Sequence, residues 1–187
     1  MINTSDEMLM QRIICGDHEA FATLVDRHLD ALHGFVQRML GNPADADDIV
    51  QDTFLRVWHK ASLWRPKQAK VSTWLHSIAH NLCIDFHRRH KGEMVDITEV
   101  ELIDPHQPAD FRQQEEVAAL VQAALQQLPE SQSSAIILCH YQGMTNREAA
   151  EALNISVSAL ESLMARGRRK LKKILQAQSA ELLGELE

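Results

Sequence analysis

Four residues whose side chains can bind metal ions lie on one predicted helix. They are His76, His80, Cys83 and His87, spaced i, i+4, i+7 and i+11 on one helical face. A histidine pair four residues apart can chelate a metal ion. One helix cannot surround a single ion with four ligands, however, and the sequence holds no second ligand cluster. We therefore expect packed or nucleic-acid-facing side chains here, with no metal and no cofactor.

No pattern typical of an enzyme occurs elsewhere in the chain. There is no Gly-rich phosphate-binding loop and no Ser/His/Asp or Cys/His arrangement in a motif context. Carboxylates are concentrated in an acidic helix at residues 45–52 and in the stretch 92–113, and no enzyme motif surrounds them. The sequence therefore predicts a protein without enzymatic activity.

DNA-binding chemistry, by contrast, is concentrated in residues 145–173. Thr145 and Glu148 fit a capping box at the start of one helix. That helix stops at Asn154, and Ser156 caps a second one. The stretch holds seven basic and three acidic residues. Two helices joined by a short turn, the second basic at its far end, follow the helix-turn-helix plan, which places a helix in the major groove of DNA.

Glu161 stands near the start of the second helix, with no cation three or four residues away. Since that end of a recognition helix normally enters the major groove, the carboxylate can accept a hydrogen bond from the N4 amino group of cytosine. Alternatively, Glu161 points to solvent or pairs with another helix, and the sequence leaves both readings open. We expect phosphate contacts from four other residues: Thr145, Arg147, Arg166 and Arg169.

An acidic helix is predicted to follow Pro43. Its apolar positions keep helical spacing and are Val50, Phe54, Val57, Trp58 and Ala61. The opposite face carries Asp45, Asp48, Asp52 and Leu55. An acidic stripe with one exposed leucine is suited to docking a basic partner helix, and a merely solvated surface is the alternative.

A basic loop and a basic helix follow the acidic helix. The loop 63–70 combines Trp64 with several cations, and the next helix, capped by Ser72 or Thr73, carries Trp74. A basic surface interleaved with aromatic rings suits single-stranded nucleic acid, since bases stack on rings and phosphates meet cations. Trp74 also fits a wholly buried position.

Composition and charge set limits on the whole chain. Its 187 residues are 45% hydrophobic, enough for one large or two small domains. The net charge of −7 argues against indiscriminate binding to nucleic acid. Because the sequence has no apolar run of membrane-spanning length and no signal-peptide pattern, we expect a cytoplasmic protein. The cysteines, Cys15, Cys83 and Cys139, are expected to be buried reduced thiols.

The helical patterns divide the chain into two parts. We expect an all-α protein with one small domain at 1–91 and a second, containing the helix-turn-helix, at 114–187. Between them, residues 92–113 have two prolines, an excess of acids and no sustained period, which predicts a flexible acidic linker. Within the second domain, Pro129 starts a helix in which Tyr141 is expected to be buried.

Three blocks occur in a fixed order along the chain. They are Asp45-Ala46-x-Asp48-x-x-Gln51-x-x-Phe54-x-x-x-Trp58, Trp74-Leu75-x-x-Ile78-Ala79-x-Asn81-x-x-x-Asp85-x-x-Arg88-Arg89, and Leu128-Pro129 followed by the helix-turn-helix. Together they resemble a bacterial RNA polymerase sigma factor of the extracytoplasmic-function group. The resemblance, from about Phe21 to Leu171, implies a protein that binds core RNA polymerase and directs it to promoters. Residues 158–163 depart from the family pattern, which has cations there, so its usual −35 preference is not carried over.

The resemblance also implies three binding surfaces. The acidic helix would dock on the coiled coil of the polymerase β′ subunit through Asp45, Asp48, Gln51, Asp52 and Leu55. The loop 63–70 and the next helix would recognise and open the −10 element through Trp64, Arg65, Lys70, Ser72, Thr73, Trp74, Ser77, His80, Asn81, Arg88 and Arg89. The helix-turn-helix would read the −35 element through Thr145, Arg147, Ser156, Ser158, Ala159, Glu161, Ser162, Arg166 and Arg169.

Further partners follow from the same resemblance. The C-terminal domain would touch the β flap, and the linker would pass through the RNA exit channel, where negative charge can take the place of RNA. Promoter DNA would be bound as a −35 duplex and a partly single-stranded −10 element. Such factors are usually held inactive by an anti-sigma partner, often membrane-anchored.

Two other hypotheses fit parts of the sequence. A two-domain repressor or activator with a regulatory N-terminal domain explains the helix-turn-helix, but not the acidic helix and the Trp-containing basic region together. A metal-sensing regulator rests only on the histidine row. Co-purification with core polymerase separates these hypotheses, because only a sigma factor requires it.

Overall fold

The computed structural model describes residues 4–66, 68–90 and 109–184, and every regular element among them is helical. The first group of helices comprises α1 (Asp6–Ile14), α2 (His18–Leu40), α3 (Pro43–Lys60) and α4 (Val71–His90), with a 3-10 turn at Ala61–Leu63. The second group comprises α5 (Ala109–Gln126), α6 (Glu130–Ile136), α7 (Asn146–Leu153) and α8 (Val157–Gly184), with a π-helical turn at Ile137–Tyr141. The predicted all-α fold is confirmed.

Local sequence signals set the ends of α2. The Asp17 carboxylate accepts hydrogen bonds from the backbone N–H groups of Glu19 and Ala20, both at 3.0 Å, and caps the helix. The helix ends at Gly41, whose φ of +78° is a left-handed conformation that glycine adopts without strain. Asn42 then caps α3. These caps define the hairpin between α2 and α3.

The first group of helices buries a continuous apolar core. Its most deeply buried side chains are Leu9, Met10, Leu24, Leu32, Phe35, Val36, Val57, Leu75 and Leu82. Burial of this apolar area is the main source of stability for the domain. The core positions α3 so that its acidic side faces away from the other helices.

The second group is organised by a close approach of α6 and α8. A Cβ atom added at Gly167 would lie 2.8 Å from Ile136 Cδ1 and 3.3 Å from Gln132 Cβ. Glycine inside a helix costs about 1 kcal/mol relative to alanine, so the contact explains why a glycine stands in α8. The two groups also touch each other, α2 against α5 and α4 against α7.

Two expectations about burial are wrong. Cys15 is exposed, because it follows α1 where the chain turns, and Cys139 is only partly buried. Cys83 is buried as predicted, and burial raises the pKa of its thiol to about 12. Tyr141 is 43% exposed, because the π-helical turn directs its ring onto Arg38 at the surface.

Two boundaries also differ from expectation. α4 begins at Val71, because the Trp74 N–H group donates to the Lys70 carbonyl oxygen, so neither Ser72 nor Thr73 is its cap. α5 begins at Ala109, inside the predicted linker. The remainder of the predicted linker lies outside the described residues.

Candidate nucleic-acid and protein-docking surfaces

The predicted docking face of α3 is accessible. Asp48, Gln51 and Asp52 are exposed, and Leu55 keeps 49% of its surface exposed. Asp45, in the first turn, is half-buried. Spacings of three and four residues place this set along one side of the helix, where it forms a single acidic surface with Leu55 at its C-terminal end.

An apolar groove lies beside this acidic surface. It has a volume of about 360 Å³ and runs between α2 and α3. Its lining residues are Phe21, Val25, Leu29, His33, Asp47, Val50, Gln51, Phe54 and Leu55. Sequence reasoning missed the α2 side, although Leu29, 40% exposed, belongs to a long apolar stripe that could have indicated it. The predicted docking face therefore offers apolar contact as well as charge.

Trp64 belongs to the core of the first group. Its side chain is 5% exposed, and its indole N–H donates to the Ala69 carbonyl oxygen at 3.2 Å. This hydrogen bond satisfies the polar end of a buried ring and closes the loop after α3. Because the ring is not accessible to a base in this conformation, we interpret Trp64 as a residue that shapes the loop.

The two predicted cations of the same loop behave differently. Arg65 is exposed, and its guanidinium donates to the backbone carbonyl of Ser62 at 2.7 Å. Lys70 instead reaches across to α7, where its Nζ lies 2.6 Å from Glu148 Oε1. The hydrogen bond from Lys70 lowers the pKa of Glu148 to about 2, with a further contribution from Thr145. Lys70 is therefore engaged by the second group of helices.

The −10 residues predicted on α4 fall into two sets. Asn81, Arg88 and Arg89 are exposed, and Arg88 pairs with Asp85 at 2.8 Å. The partly or fully buried set comprises Ser72, Thr73, Trp74, Ser77 and His80. Trp74 is partly buried and packs against the core. This position is intermediate between the two predictions for it, a wholly buried core residue and a ring accessible to bases. The first set is fully accessible in this conformation; within the second, only Thr73 is buried and the others are partly exposed.

His80 lies in a cleft between the two groups of helices. The cleft is lined by α4 and by the junction of α5 and α6, including Leu125 and Leu128. Burial lowers the pKa of His80 to about 4, so the imidazole is neutral near neutral pH. A neutral, covered ring does not attract phosphate.

The rest of the histidine row is occupied by structural contacts. His76 Nδ1 lies 2.8 Å from the Ser72 carbonyl oxygen, and its ring meets Phe35 edge-on. His87 Nε2 lies 3.2 Å from the Met39 carbonyl oxygen. Among the described residues, no group of three or more potential ligands is placed to hold a metal ion. The row is best explained by packing.

The helix-turn-helix forms as its sequence predicts. Thr145 and Glu148 make the reciprocal hydrogen bonds of a capping box at the start of α7. Asn154 ends α7 in a left-handed conformation with φ of +54°. Ser156 Oγ then accepts a hydrogen bond from the Ala159 N–H group at 3.1 Å and caps α8.

The predicted −35 residues form an accessible surface on α7 and α8. The exposed members are Thr145, Arg147, Ser156, Ser158, Glu161, Ser162, Arg166 and Arg169, and Ala159 is half-buried. Arg147 pairs with Glu151 at 3.2 Å. The Asn146 side-chain amide donates to Glu161 Oε1 at 3.4 Å, so in this conformation Glu161 pairs with the neighbouring helix.

Two helical domains, one with an accessible acidic face and one with an exposed helix-turn-helix, are typical of a DNA-binding regulator of transcription. Residues 24–93 match the Sigma-70 region 2 family, and residues 118–171 match the family Sigma-70, region 4. The ECF RNA polymerase sigma factor SigM of Mycobacterium tuberculosis is 34% identical over 91% of this chain and 85% of its own. The RNA polymerase sigma factor NccH of Alcaligenes xylosoxydans xylosoxydans is 37% identical over 92% of this chain and 95% of its own. The chain belongs to the ECF group of sigma-70 family factors.

Solved structures agree with this assignment. CnrH, determined in complex with the cytosolic domain of CnrY, has a TM-score of 0.70 and 29% identity, over 93% of this chain and 99% of CnrH. RpoE of Bartonella quintana, co-crystallised with the anti-sigma factor NepR, shares the fold with a TM-score of 0.65 at 23% identity. The match covers 83% of this chain and 96% of the RpoE chain.

Family membership establishes the general role. Sigma factors are non-catalytic proteins that bind core RNA polymerase and direct it to promoters. In the described part of the chain, no helix combines the length and the apolar character needed to cross a bilayer.

Proposed function

We propose that this sigma factor uses three separate surfaces to bind core polymerase, to open the −10 element and to recognise the −35 element. Residues 1–91 would bind core polymerase and open the −10 element, and residues 114–187 would read the −35 element. Residues 92–113 would connect the two domains through the RNA exit channel, and the second domain would touch the β flap. The protein would act in the cytoplasm, where polymerase and promoter DNA meet.

Polymerase docking is assigned to α3 and the groove beside it. The observation that carries this assignment is the accessible acidic surface, with Leu55 and the apolar groove at its side. Charge complementarity steers a basic coiled coil toward the acidic face. An apolar side chain of the coiled coil that enters the groove would supply most of the affinity, because buried anchors dominate interface energies.

Promoter opening is assigned to the loop after α3 and the outer side of α4. Extruding a base costs a few kcal/mol of lost pairing and stacking, which protein contacts have to offset. Arg65, Arg88 and Arg89 are exposed cations for the backbone, and Asn81 is an exposed amide able to hydrogen-bond a base edge. The buried residues of this set would act by holding the loop and helix in place.

Recognition of the −35 element is assigned to the first turns of α8. Ser158, Glu161 and Ser162 would face base edges, while Arg166 and Arg169 would meet phosphates, together with Thr145 and Arg147 on the preceding helix. This division separates residues that specify sequence from those that provide affinity.

Reconstitution with purified core polymerase tests the proposal. The full-length protein is expected to co-purify with core and to support run-off transcription from a genomic library of its source organism. The transcripts recovered would define the −35 and −10 elements. A protein that binds those DNA fragments without binding core would instead be a two-domain repressor or activator.

An anti-sigma partner is proposed from relatedness. The similar protein CnrH was solved with the cytosolic domain of CnrY, which supports control by a protein with a cytosolic segment. We expect a comparable inhibitor here, possessing a membrane anchor. Affinity purification from detergent-solubilised membranes should recover a protein whose cytosolic part inhibits run-off transcription in proportion to its concentration. Lack of inhibition by the recovered protein would contradict the assignment.

A further inference from the structure

The second half of α8 carries a dense run of exposed cations. Between Val157 and Gln178 the helix has six cations and one acid, Glu161. The cations, all exposed, are Arg166, Arg168, Arg169, Lys170, Lys172 and Lys173. Within the described ranges, no carboxylate forms an ion pair with any of them. Because the whole chain has a net charge of −7, this local excess of positive charge needs an explanation.

Most of these cations lie on the side of α8 that is proposed to face DNA. Successive residues of a helix are about 100° apart, so a side of α8 can be defined around Arg169. We call this side the outward row. Its polar residues within about 60° of Arg169 include Ser158, Ser162, Arg166, Arg169, Lys172 and Lys173. The row therefore begins with residues proposed to face base edges and ends with cations only.

Packing holds the far end of the row in place. Leu171 and Ile174, on the opposite side of α8, are partly buried against the core. The row therefore extends rigidly from the start of the helix. Ser158 and Lys173 are separated by about 22 Å along the axis, whereas the major groove is only about 12 Å wide. A helix that enters the groove with its first turns therefore brings its far end to the phosphates beside the groove.

Helix stability does not account for these cations. Arg166 and Arg169, and Arg169 and Lys172 or Lys173, are three or four residues apart, a spacing at which like charges destabilise a helix. The helix dipole favours cations only in the last turn, and α8 continues to Gly184. A polyanion would offset the repulsion. Duplex DNA is such a partner, with one negative charge per about 1.7 Å of its axis.

We propose that Lys172 and Lys173 bind phosphates of the duplex beside the −35 element, so that the second domain contacts a longer stretch of DNA than it reads. This inference rests on the proposed assignment of α8 to the −35 element. The added contact has no sequence preference, because phosphates carry no sequence information. It supplies affinity that the base contacts of Ser158, Glu161 and Ser162 do not provide.

Two double variants test the contact. Lys172→Ala combined with Lys173→Ala removes the cations at the far end of the outward row. Arg168→Ala combined with Lys170→Ala is the matched control, because it removes the same charge from the same helix at positions about 100° to either side of Arg169. Alanine preserves helix propensity, and circular dichroism verifies it. If the first variant loses its helical signal, Lys172→Gln combined with Lys173→Gln replaces it.

Fluorescence anisotropy of the full-length protein with labelled duplexes measures the contact. One duplex has an arbitrary sequence, and the other contains the −35 element recovered by run-off transcription. Each neutralised phosphate contributes about 0.9 to the slope of log affinity against log salt, so the slope should be smaller by about 1.8 without Lys172 and Lys173. Raising the salt from about 50 to 200 mM should then weaken the wild type about tenfold more than this variant, on both duplexes. The control should keep a slope close to that of the wild type.

Several results would overturn the proposal. One is an equal slope for the wild type and the Lys172/Lys173 variant. If that variant nonetheless loses run-off transcription with core polymerase, the row binds an acidic protein surface instead of DNA. An equal reduction of the slope in both double variants would indicate a general charge effect, and absence of binding to either duplex at low salt would exclude the contact directly. If the wild type shows no preference for the −35 duplex while the slope still depends on Lys172 and Lys173, the −35 assignment fails and the phosphate contact stands.

Discussion

Glu161 lies on the accessible side of α8, close to the end that we propose enters the major groove. Its Oε1 accepts a hydrogen bond from Asn146, a weak contact at 3.4 Å between exposed groups. Such a contact is readily exchanged for a base edge, because exposed polar pairs contribute little net stability. The pairing with α7 therefore orients the carboxylate in the free protein and is compatible with the proposed reading of cytosine in the complex.

Glu161→Ala is expected to relax specificity at one −35 position. The loss of a base contact should cost about 1–3 kcal/mol there and leave the other positions unchanged. Selection of −35 variants from a randomised library, with holoenzymes containing either protein, measures this change. Arg166→Ala is the control, because losing a phosphate contact weakens all sequences alike and reduces the salt dependence. An unchanged preference at every position with Glu161→Ala would reject the base-reading role.

Trp64 leads to a prediction about stability. Because its ring is buried and its N–H is bonded to Ala69, Trp64→Ala should lower the free energy of unfolding by about 3–5 kcal/mol. Urea denaturation followed by circular dichroism measures the loss. The neighbouring Arg65→Ala variant should keep wild-type stability but weaken strand opening, as seen by permanganate footprinting. Wild-type stability in Trp64→Ala, together with lost opening, would restore the base-stacking role.

Helix ends were the features most readily predicted from sequence. The caps at Thr145 and Ser156 depend on backbone groups three residues away, so local patterns suffice to identify them. The start of α4 was missed, because it depends on how the loop after α3 closes over Trp64. The groove was missed for a related reason, since four of its nine lining residues come from a different helix, α2.

The accessible face of α3 leads to a prediction about assembly. Asp48→Arg combined with Asp52→Arg should abolish co-purification with core polymerase, because the reversed charges repel a basic coiled coil. The fold should be unaffected, since exposed charges contribute little to stability. Affinity purification of tagged protein from cells measures the association.

A control variant with the same change in net charge distinguishes a loss of docking on α3 from a non-specific effect of net charge on binding to core polymerase. Glu7→Arg combined with Glu19→Arg alters the net charge equally, on exposed side chains of α1 and α2 outside the docking face. This control should co-purify with core normally. Normal co-purification of the α3 variant would refute the docking assignment, and loss of binding in both variants would indicate a non-specific charge effect.

At the scale of the whole molecule, the contact between the domains could not be predicted from local patterns. Gln126 and Arg38 are 88 residues apart in sequence, and α5 also holds Gln113 and Gln114, so residue type alone does not mark Gln122 and Gln126 as contacts. Tyr141 was expected to be buried, yet it lies at the surface because the π-helical turn rotates it toward Arg38. Such contacts depend on the docking of preformed helices, which the spacing of apolar residues does not specify.

The burial of His80 between the two domains should make the stability of the protein depend on pH. Burial in the cleft lowers its pKa from 6.5 to about 4, with Leu125 and Leu128 of the second domain on the facing side. The compact state therefore holds a neutral ring, while the unfolded chain takes up a proton below pH 6.5. By linkage, stability is fully present above pH 6.5 and falls as pH is lowered toward 4. The pKa of Glu148 is lowered from 4.5 to about 2, so its contribution to stability is lost as pH falls from about 4.5 toward 2, below the range between pH 7 and pH 5.

Urea denaturation at pH 7 and pH 5 measures the contribution of His80. Between pH 7 and pH 5 the free energy of unfolding of the wild type should fall by about 2 kcal/mol because of His80, as follows from its pKa values in the unfolded and folded chain. His80→Gln should lose correspondingly less, since glutamine does not titrate, and His59→Gln, an exposed histidine on α3, should behave like the wild type. The comparison between variants cancels the titration of all other groups. An equal loss in His80→Gln and the wild type would mean that the ring is not buried in solution, and hence that the cleft between the two domains is open.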